Sequence, residues 1–300
     1  MDIPSFASEH LSRLLNRLAF QINATAARRD ADSIHDLRVA IRRFSQGLVV
    51  FKSSFASKKP KKVRRVLKEA LAAAGRVRDC DIAAELLSKR KMPGLGRLRQ
   101  RLATRRKAAV AELVAILKQW KVRHLSSKWR RDLEAARHPA PSSLPALEDL
   151  ARDILPRDAR KFLACGARAA RKGASAEELH LFRIAAKKFR YSLELFTAWY
   201  PIAAPAWIDR LKQVQQLLGS VNDCRSTRLL VSGFGSYPKL DRALKRRQDR
   251  KMAEFRSYWE TQFAERAAIR PLVSALSRPG APRKPAGRAT AARTSAAAGA

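Results

Sequence analysis

Two basic motifs, each beginning with a histidine, contain the residues whose types and spacing could form a binding or catalytic site. They read HDLRVAIRRF at residues 35–44 and HLFRIAAKKF at residues 180–189. At 100° per residue, the histidine and the cations of each motif share one face of a helix. These residues are His35, Arg38, Arg42 and Arg43 in the first copy, and His180, Arg183, Lys187 and Lys188 in the second, where Arg190 extends the row. Such a row of donors could bind an anion.

Repetition favours an anion site over a merely solvated charged face. Like charges three or four residues apart cost a helix roughly 0.2–0.5 kcal/mol per pair, so a bound anion would relieve this face in both copies. A phosphorelay histidine is disfavoured because Asp36 has no counterpart in the second copy. A metal site is disfavoured because no His or Cys follows either histidine by three or four residues. A packed, structural histidine stays open for each copy taken singly.

The total charge points to a polyanionic partner. The 300 residues include 63 Lys+Arg and 26 Asp+Glu, a formal net charge of +37. Such an excess is typical of proteins that bind nucleic acid, polyphosphate or anionic membrane. The longest apolar stretch, 196–208, is short and contains two prolines, which excludes a membrane span. Three cysteines and no signal peptide predict a cytoplasmic protein with reduced thiols.

Helices must position these motifs, and the pattern predicts an all-α fold. Apolar residues 37, 41, 44, 48 and 51 share an arc opposite His35, and residues 182, 186, 189, 193 and 196 do the same opposite His180. Ser33 and Asp36 predict a capping box at the start of the first histidine helix. Pro60 suits the start of the next helix, Gly75 its end, and Asp79 the cap of a fourth.

A second repeated block shows that the duplication extends beyond the histidine helices. LKEALAAAGRVRDC at 67–80 recurs as LKQVQQLLGSVNDC at 211–224, which places Lys68 and Lys212 in register as further candidate donors. We predict two tandem four-helix-bundle repeats, at 1–137 and 147–277. The proline-rich linker 138–146 joins them, and a disordered basic tail follows at 278–300.

Enzyme signatures are few. The chain contains no Walker loop and no nucleophile elbow. The repeated acids Asp79 and Asp223 are interpreted as helix caps rather than as carboxylates that hold magnesium. Binding is therefore favoured over catalysis, and no cofactor or metal is expected.

The two motifs, each followed by the LK–G–V–DC block, resemble the CHAD family, the conserved histidine α-helical domain. The resemblance covers about residues 5–270 and implies two four-helix bundles related by pseudo-two-fold symmetry around a basic groove. It also implies binding of inorganic polyphosphate and association with polyphosphate granules. Ser45 stands where the family tends to place a basic residue, so the first half is expected to bind the anion slightly less strongly. The triphosphatase signature Glu-x-Glu-x-Lys of some members is not found here.

A histone-like nucleic-acid-binding protein is the second hypothesis, and an enzyme acting on polyphosphate is the third. Phe44, Phe51, Phe189 and Phe196 fall on the apolar arcs, whereas a single-strand binder interleaves aromatic side chains with its cations. The histidines predict that binding strengthens as the pH falls through about 6.5.

Overall fold

A computed structural model describes residues 3–55, 58–88, 95–135, 147–201, 203–263 and 273–276. Within these residues the chain is helical and contains no strand, so the predicted all-α class is confirmed. None of the helices there is long and apolar enough to cross a membrane. The predicted linker 138–146 and tail 278–300 lie outside the described residues.

Nine α-helices make up most of this part of the chain. They are α1 (Ile3–Arg28), α2 (Ala31–Val50), α3 (Lys59–Ser88), α4 (Leu95–Val122), α5 (Leu125–Ala135), α6 (Leu147–Ala170), α7 (Ala176–Leu195), α8 (Ala203–Ser232) and α9 (Pro238–Phe263). Short 3-10 helices, Lys52–Ser54 and Thr197–Trp199, precede α3 and α8.

The order of the helices repeats. The histidine helices α2 and α7 have 20 residues each, and each is followed by a three-residue 3-10 helix and a 30-residue helix. α2 packs between α1 and α3, and α7 packs between α6 and α8. The halves meet where α3 packs along α8 and α2 contacts α7. This order fits the predicted duplication, and the pseudo-two-fold relation stays a prediction.

Two separate apolar clusters each join the halves. In the larger cluster, ring contacts join Phe6 of α1 to Trp199, with centroids 5.7 Å apart. In the smaller cluster, Leu87 of α3 and Leu98 of α4 pack with Leu244 of α9. Because the halves share these contacts, each fixes the position of the other.

The start of α2 differs from the predicted capping box. Asp30 is the N-cap, and its side chain accepts a hydrogen bond of 2.7 Å from the backbone N–H of Ser33. Ser33 is buried in the first turn and donates its hydroxyl to the Asp30 carbonyl. The prediction of Ser33 as the cap is wrong because Asp30 offers a cap three residues earlier. The predicted apolar arcs of both histidine helices are confirmed, since all ten of their residues are buried.

α3 does not end at Gly75, and Asp79 does not cap a helix. α3 runs through both residues to Ser88, and α8 likewise runs through Gly219 and Asp223 to Ser232. Gly75 instead leaves room for the end of the Arg38 side chain, because a Cβ atom there would lie 3.0 Å from its Nη1. The two repeated aspartates therefore lie in the middle of the helices at which the halves meet.

Candidate anion-binding site

The basic faces of α2 and α7 come together between the two halves of the molecule. The charge of Arg183 on α7 lowers the pKa of Arg38 on α2. The charge of Arg42 on α2 lowers the pKa values of Arg183 and Lys187. Cations from both copies therefore lie close enough to repel one another, as a single site requires.

Partial burial strengthens this repulsion. Burial and the charges of Arg42, Arg78 and Arg183 lower the pKa of Arg38 to about 10, against the opposing effect of Asp79. Nη1 of Arg38 donates to the Leu71 carbonyl at 3.3 Å. This contact holds the Arg38 guanidinium against the backbone of α3.

Lys187 is the most perturbed cation of the site. Burial, followed by the charges of Arg42, Arg183, Arg38 and Arg190, lowers its pKa to about 7. A lysine normally titrates near 10.4, so Lys187 loses part of its charge near neutral pH unless an anion is bound.

Three residues of the site were missed by sequence reasoning: Arg78 and Asp79 on α3, and Asp223 on α8. The charge of Arg78 lowers the pKa values of Arg38 and His35. The signal was present in the apolar spacing, because Val77, Cys80, Ala83 and Leu87 continue the buried face of α3 past Gly75. An unbroken helix puts Arg78 and Asp79 opposite α2, so neither could be a cap.

The two aspartates counter the neighbouring arginines. Desolvation raises the pKa of Asp79, while Arg38, Arg105 and Arg78 lower it. Burial raises the pKa of Asp223, while Arg183 and Arg78 lower it. The charge of Asp79 adds to the increase in the pKa of Asp223, so the two carboxylates lie close enough to repel each other across α3 and α8.

We define the central basic cluster as six cations together with these two aspartates. Its members are Arg38, Arg42, Arg78, Arg183, Lys187, Arg190, Asp79 and Asp223. Arg190 lies at its edge: its charge lowers the pKa of Lys187, its guanidinium lies 5.0 Å from the centroid of the Tyr191 ring, and its Nε is 3.7 Å from Glu194. Four of the predicted donors, Arg38, Arg42, Arg183 and Lys187, form the centre.

Both histidines are exposed at the starts of their helices. Burial against neighbouring atoms and the charge of Arg78 lower the pKa of His35, whereas Asp36 opposes this shift. His35 is therefore a neutral donor at pH 7, at the N-terminal end of α2. His180 occupies the matching end of α7.

Comparison with known proteins identifies the chain. The CHAD domain family matches residues 9–232. This chain belongs to that family. The crystal structure of the CHAD domain from the plant Ricinus communis is 21% identical, with a TM-score of 0.68 over 94% of each chain. PptA from Streptomyces chartreusis is 16% identical, with a TM-score of 0.58 over 93% of this chain and 100% of its own. At these identities the two structures show the CHAD fold, and no curated protein matches the chain.

The region that matches the CHAD family contains α2, α3 and α7 entirely and ends with α8. It therefore includes every member of the central basic cluster. Six predicted donors lie outside that cluster: His35, His180, Arg43, Lys68, Lys188 and Lys212.

Arg43 and Lys188 occupy matching positions in the two copies, and both form ion pairs elsewhere. Nη2 of Arg43 lies 3.3 Å from Oε2 of Glu194 on α7. Nζ of Lys188 donates at 2.7 Å to Asp158, a buried residue of α6 that also accepts from the Ser192 hydroxyl at 2.9 Å. Lys188 is thus held by an internal carboxylate rather than presented to the cluster.

Lys68 and Lys212 are exposed on α3 and α8. Nζ of Lys212 donates to Asp209 at 2.9 Å, one turn earlier on its own helix. Neither lysine contributes to the perturbed pKa values of the central basic cluster. Their role as anion ligands stays a prediction.

Proposed function

We propose that this CHAD protein binds inorganic polyphosphate through the central basic cluster. One observation carries the proposal: cations from both halves are partly buried together, and this burial, followed by their mutual repulsion, lowers the pKa values of Arg38, Arg183 and Lys187. The six cations of this cluster are countered by Asp79, Asp223 and, at its edge, Glu194, so positive charge remains in excess. A polyanion would supply the missing negative charge and restore the full charge of Lys187.

The arrangement of donors in the central basic cluster suits polyphosphate. Polyphosphate presents a row of anionic oxygens and no bases, so it needs lined-up donors and no stacking platforms. Phe44, Phe51, Phe189 and Phe196 are all buried in the core, so none of them could stack on a base. Arginines supply most of the donors, and their forked guanidinium groups match phosphate oxygens.

The second candidate is a histone-like nucleic-acid-binding function, which exposed cations outside the central basic cluster favour. They include Lys61, Lys62, Arg64 and Arg65 on α3, Arg97, Arg101 and Arg105 on α4, and Arg242, Arg246 and Arg250 on α9. Such spread-out charge supports salt-sensitive binding without sequence preference.

A competition assay separates the two candidates. Polyphosphate should resist displacement by duplex DNA near 200 mM salt at equal phosphate concentration, because diffuse contacts weaken steeply with salt. Arg42→Gln should weaken polyphosphate binding, and the matched control Arg246→Gln, on the exposed face of α9, should weaken only DNA binding. Deletion of residues 278–300 should act like the control. Displacement on equal terms by DNA in all variants would instead establish the nucleic-acid function.

We further propose that the protein binds without catalysis, with Asp79 and Asp223 serving as counter-charges. Asp79→Asn and Asp223→Asn should then tighten polyphosphate binding, because each removes a negative charge from the site. Phosphate release should be absent in the wild type, with or without magnesium. Release that either substitution abolishes would make these carboxylates catalytic. The same proposal places the protein on polyphosphate granules in the cytoplasm, where a fluorescent fusion should co-localise with them.

A further inference from the structure

A cavity of about 330 Å³ lies between α1, α2 and α7, beside the central basic cluster. Its lining includes the apolar residues Leu14, Val50 and Leu195, together with Gln46 and Tyr191. The volume is at the lower end of the range for small-molecule sites, about 300–1,000 Å³. It therefore suits a compact organic group.

The cavity follows the cluster along both histidine helices, one turn further toward their C-terminal ends. Gln46 follows Arg42 by one turn of α2, and Tyr191 follows Lys187 by one turn of α7, so each pair shares a helix face. Arg190 bridges the two regions, because it acts on Lys187 and also lies over the Tyr191 ring. A ligand could therefore place phosphates on the cluster and another group in the cavity.

The two regions differ sharply in charge. Arg43 and Glu194 both line the cavity and form an ion pair with each other at 3.3 Å. Burial, followed by the charge of Arg13, lowers the pKa of His10 to about 4, so this lining residue is neutral. The cavity carries no net charge from these groups and offers little attraction to a phosphate.

The cavity nevertheless has polar groups that could orient a ligand. The side-chain amide nitrogen of Gln46 is buried without a hydrogen-bond partner in the described structure. Because this nitrogen is shielded from the open space of the cavity, a ligand acceptor reaches it only after the Gln46 side chain rotates, and the bond then satisfies a costly unpaired donor. The Tyr191 ring adds an aromatic surface beside it.

From these contrasts we propose that the site also takes nucleoside polyphosphates, with the phosphates on the central basic cluster and the nucleoside in the cavity. The inference rests on the proposed function, because it uses the same cluster for the phosphates. An uncharged, partly apolar cavity with an unpaired amide donor matches a nucleoside. The adjoining cations match its phosphate chain.

Calorimetric titration with ATP and with inorganic tripolyphosphate, in magnesium-free buffer, tests the idea. Both probes carry three phosphates and differ in the nucleoside. ATP should bind at least about tenfold more tightly than tripolyphosphate, a difference of about 1.4 kcal/mol. Adenosine alone should bind far more weakly than ATP.

Leu195→Trp fills the cavity and should bring ATP down to the affinity of tripolyphosphate, whose own binding should not change. Leu229→Trp is the matched control, because Leu229 is 65% exposed on α8 and outside the cavity. Gln46→Leu keeps the side-chain volume close to that of the wild type and should weaken ATP alone by about fivefold, the loss expected for one hydrogen bond. The Gln46→Leu variant gives a second test if Leu195→Trp fails to fold.

Two results would overturn different claims. Equal affinities of ATP and tripolyphosphate in the wild type, unchanged by Leu195→Trp and Gln46→Leu, would overturn the nucleoside site and leave polyphosphate binding standing. A wild-type protein that binds neither tripolyphosphate nor long-chain polyphosphate would overturn the proposed function. Tight ATP binding in that case would still support the nucleoside site.

Discussion

The two halves contribute similar charge to the central basic cluster, and only the third cation of each half comes from a different position. α2 supplies Arg38 and Arg42, and α7 supplies Arg183 and Lys187 at the matching positions. The third cation differs, since α3 provides Arg78 in the first half and α7 provides Arg190 in the second. The two halves therefore carry similar charge at the site, with the third cation on a different helix in each.

This comparison changes the expectation drawn from Ser45. Ser45 stands opposite Arg190 in the alignment of the copies, which predicts weaker anion binding by the first half. Arg78 offsets that loss, because its counterpart in α8 is the neutral Asn222. Glu194 also counters Arg190 at 3.7 Å. We therefore expect comparable contributions from the two halves.

The largest expected difference concerns stability, at the matching residues Lys188 and Arg43. Lys188→Met leaves the buried Asp158 carboxylate without its cation and should cost about 3–5 kcal/mol of unfolding free energy. Arg157, whose Nε lies 3.9 Å from Asp158, should keep the loss near the lower figure. Arg43→Met removes a surface pair and should cost at most about 1 kcal/mol.

Denaturant unfolding of both variants checks this contrast. Equal losses would mean that the two ion pairs are equivalent, contrary to the burial of Asp158. Tripolyphosphate affinity should stay within about threefold of the wild type in both variants, since neither residue belongs to the central basic cluster.

The residue that differs between α3 and α8, Arg78 in one and Asn222 in the other, should change the affinity for anions when it is replaced in either helix. Arg78→Asn should weaken tripolyphosphate binding by about tenfold, because it removes a partly buried cation from the cluster. Asn222→Arg should strengthen binding by a smaller factor, since the added charge also meets the existing repulsion. If Arg78→Asn left the affinity unchanged, the first half would lack its third cation and the prediction from Ser45 would stand.

A third difference lies in titration, because Lys187 of the second half matches Arg42 of the first. In the free protein Lys187 has a pKa of about 7, and a bound polyanion raises it. Binding therefore takes up protons, and affinity should fall by up to about tenfold per pH unit above 7. The sequence alone predicts that affinity changes near pH 6.5, through titration of His35 and His180.

Calorimetry between pH 7 and 9 checks that shift. Lys187→Arg should flatten the profile, because arginine stays charged, and a His35→Gln/His180→Gln variant should keep it. Loss of the pH dependence in the histidine variant would show that the imidazoles, and not Lys187, cause it.

Without ligand, Lys187 should make the protein more stable as the pH rises from 7 to about 10, because the unfolded chain holds that proton more tightly.

The elements of the fold were largely predictable, since the apolar arcs opposite His35 and His180 are the buried faces of α2 and α7. The interruptions in α3 and α8 were predicted wrongly because glycine and aspartate favour helix ends on average. At Gly75 the close approach of Arg38 explains the glycine within an unbroken helix. The helix propensity of a residue does not reflect such contacts with other helices.

Helical periodicity predicted the site within each helix, and only the family resemblance predicted a basic groove shared by the two histidine helices. Helical spacing placed Arg38 and Arg42 on one face, and Arg183 and Lys187 on another. The meeting of these faces depends on how α2 contacts α7, which no periodicity specifies. For the same reason the ion pair of Lys188 with Asp158, 30 residues apart, was missed.

The number of tripolyphosphate molecules bound per chain tests most directly whether the two halves form one site. Calorimetric titration of the wild type should give one tight site. Arg38→Gln/Arg42→Gln in the first half and Arg183→Gln/Lys187→Gln in the second should each abolish it, by roughly a hundredfold or more, because each removes two partly buried charges. Two tight sites in the wild type, with one left intact in each variant, would show that each half binds the anion alone and would contradict a shared central basic cluster.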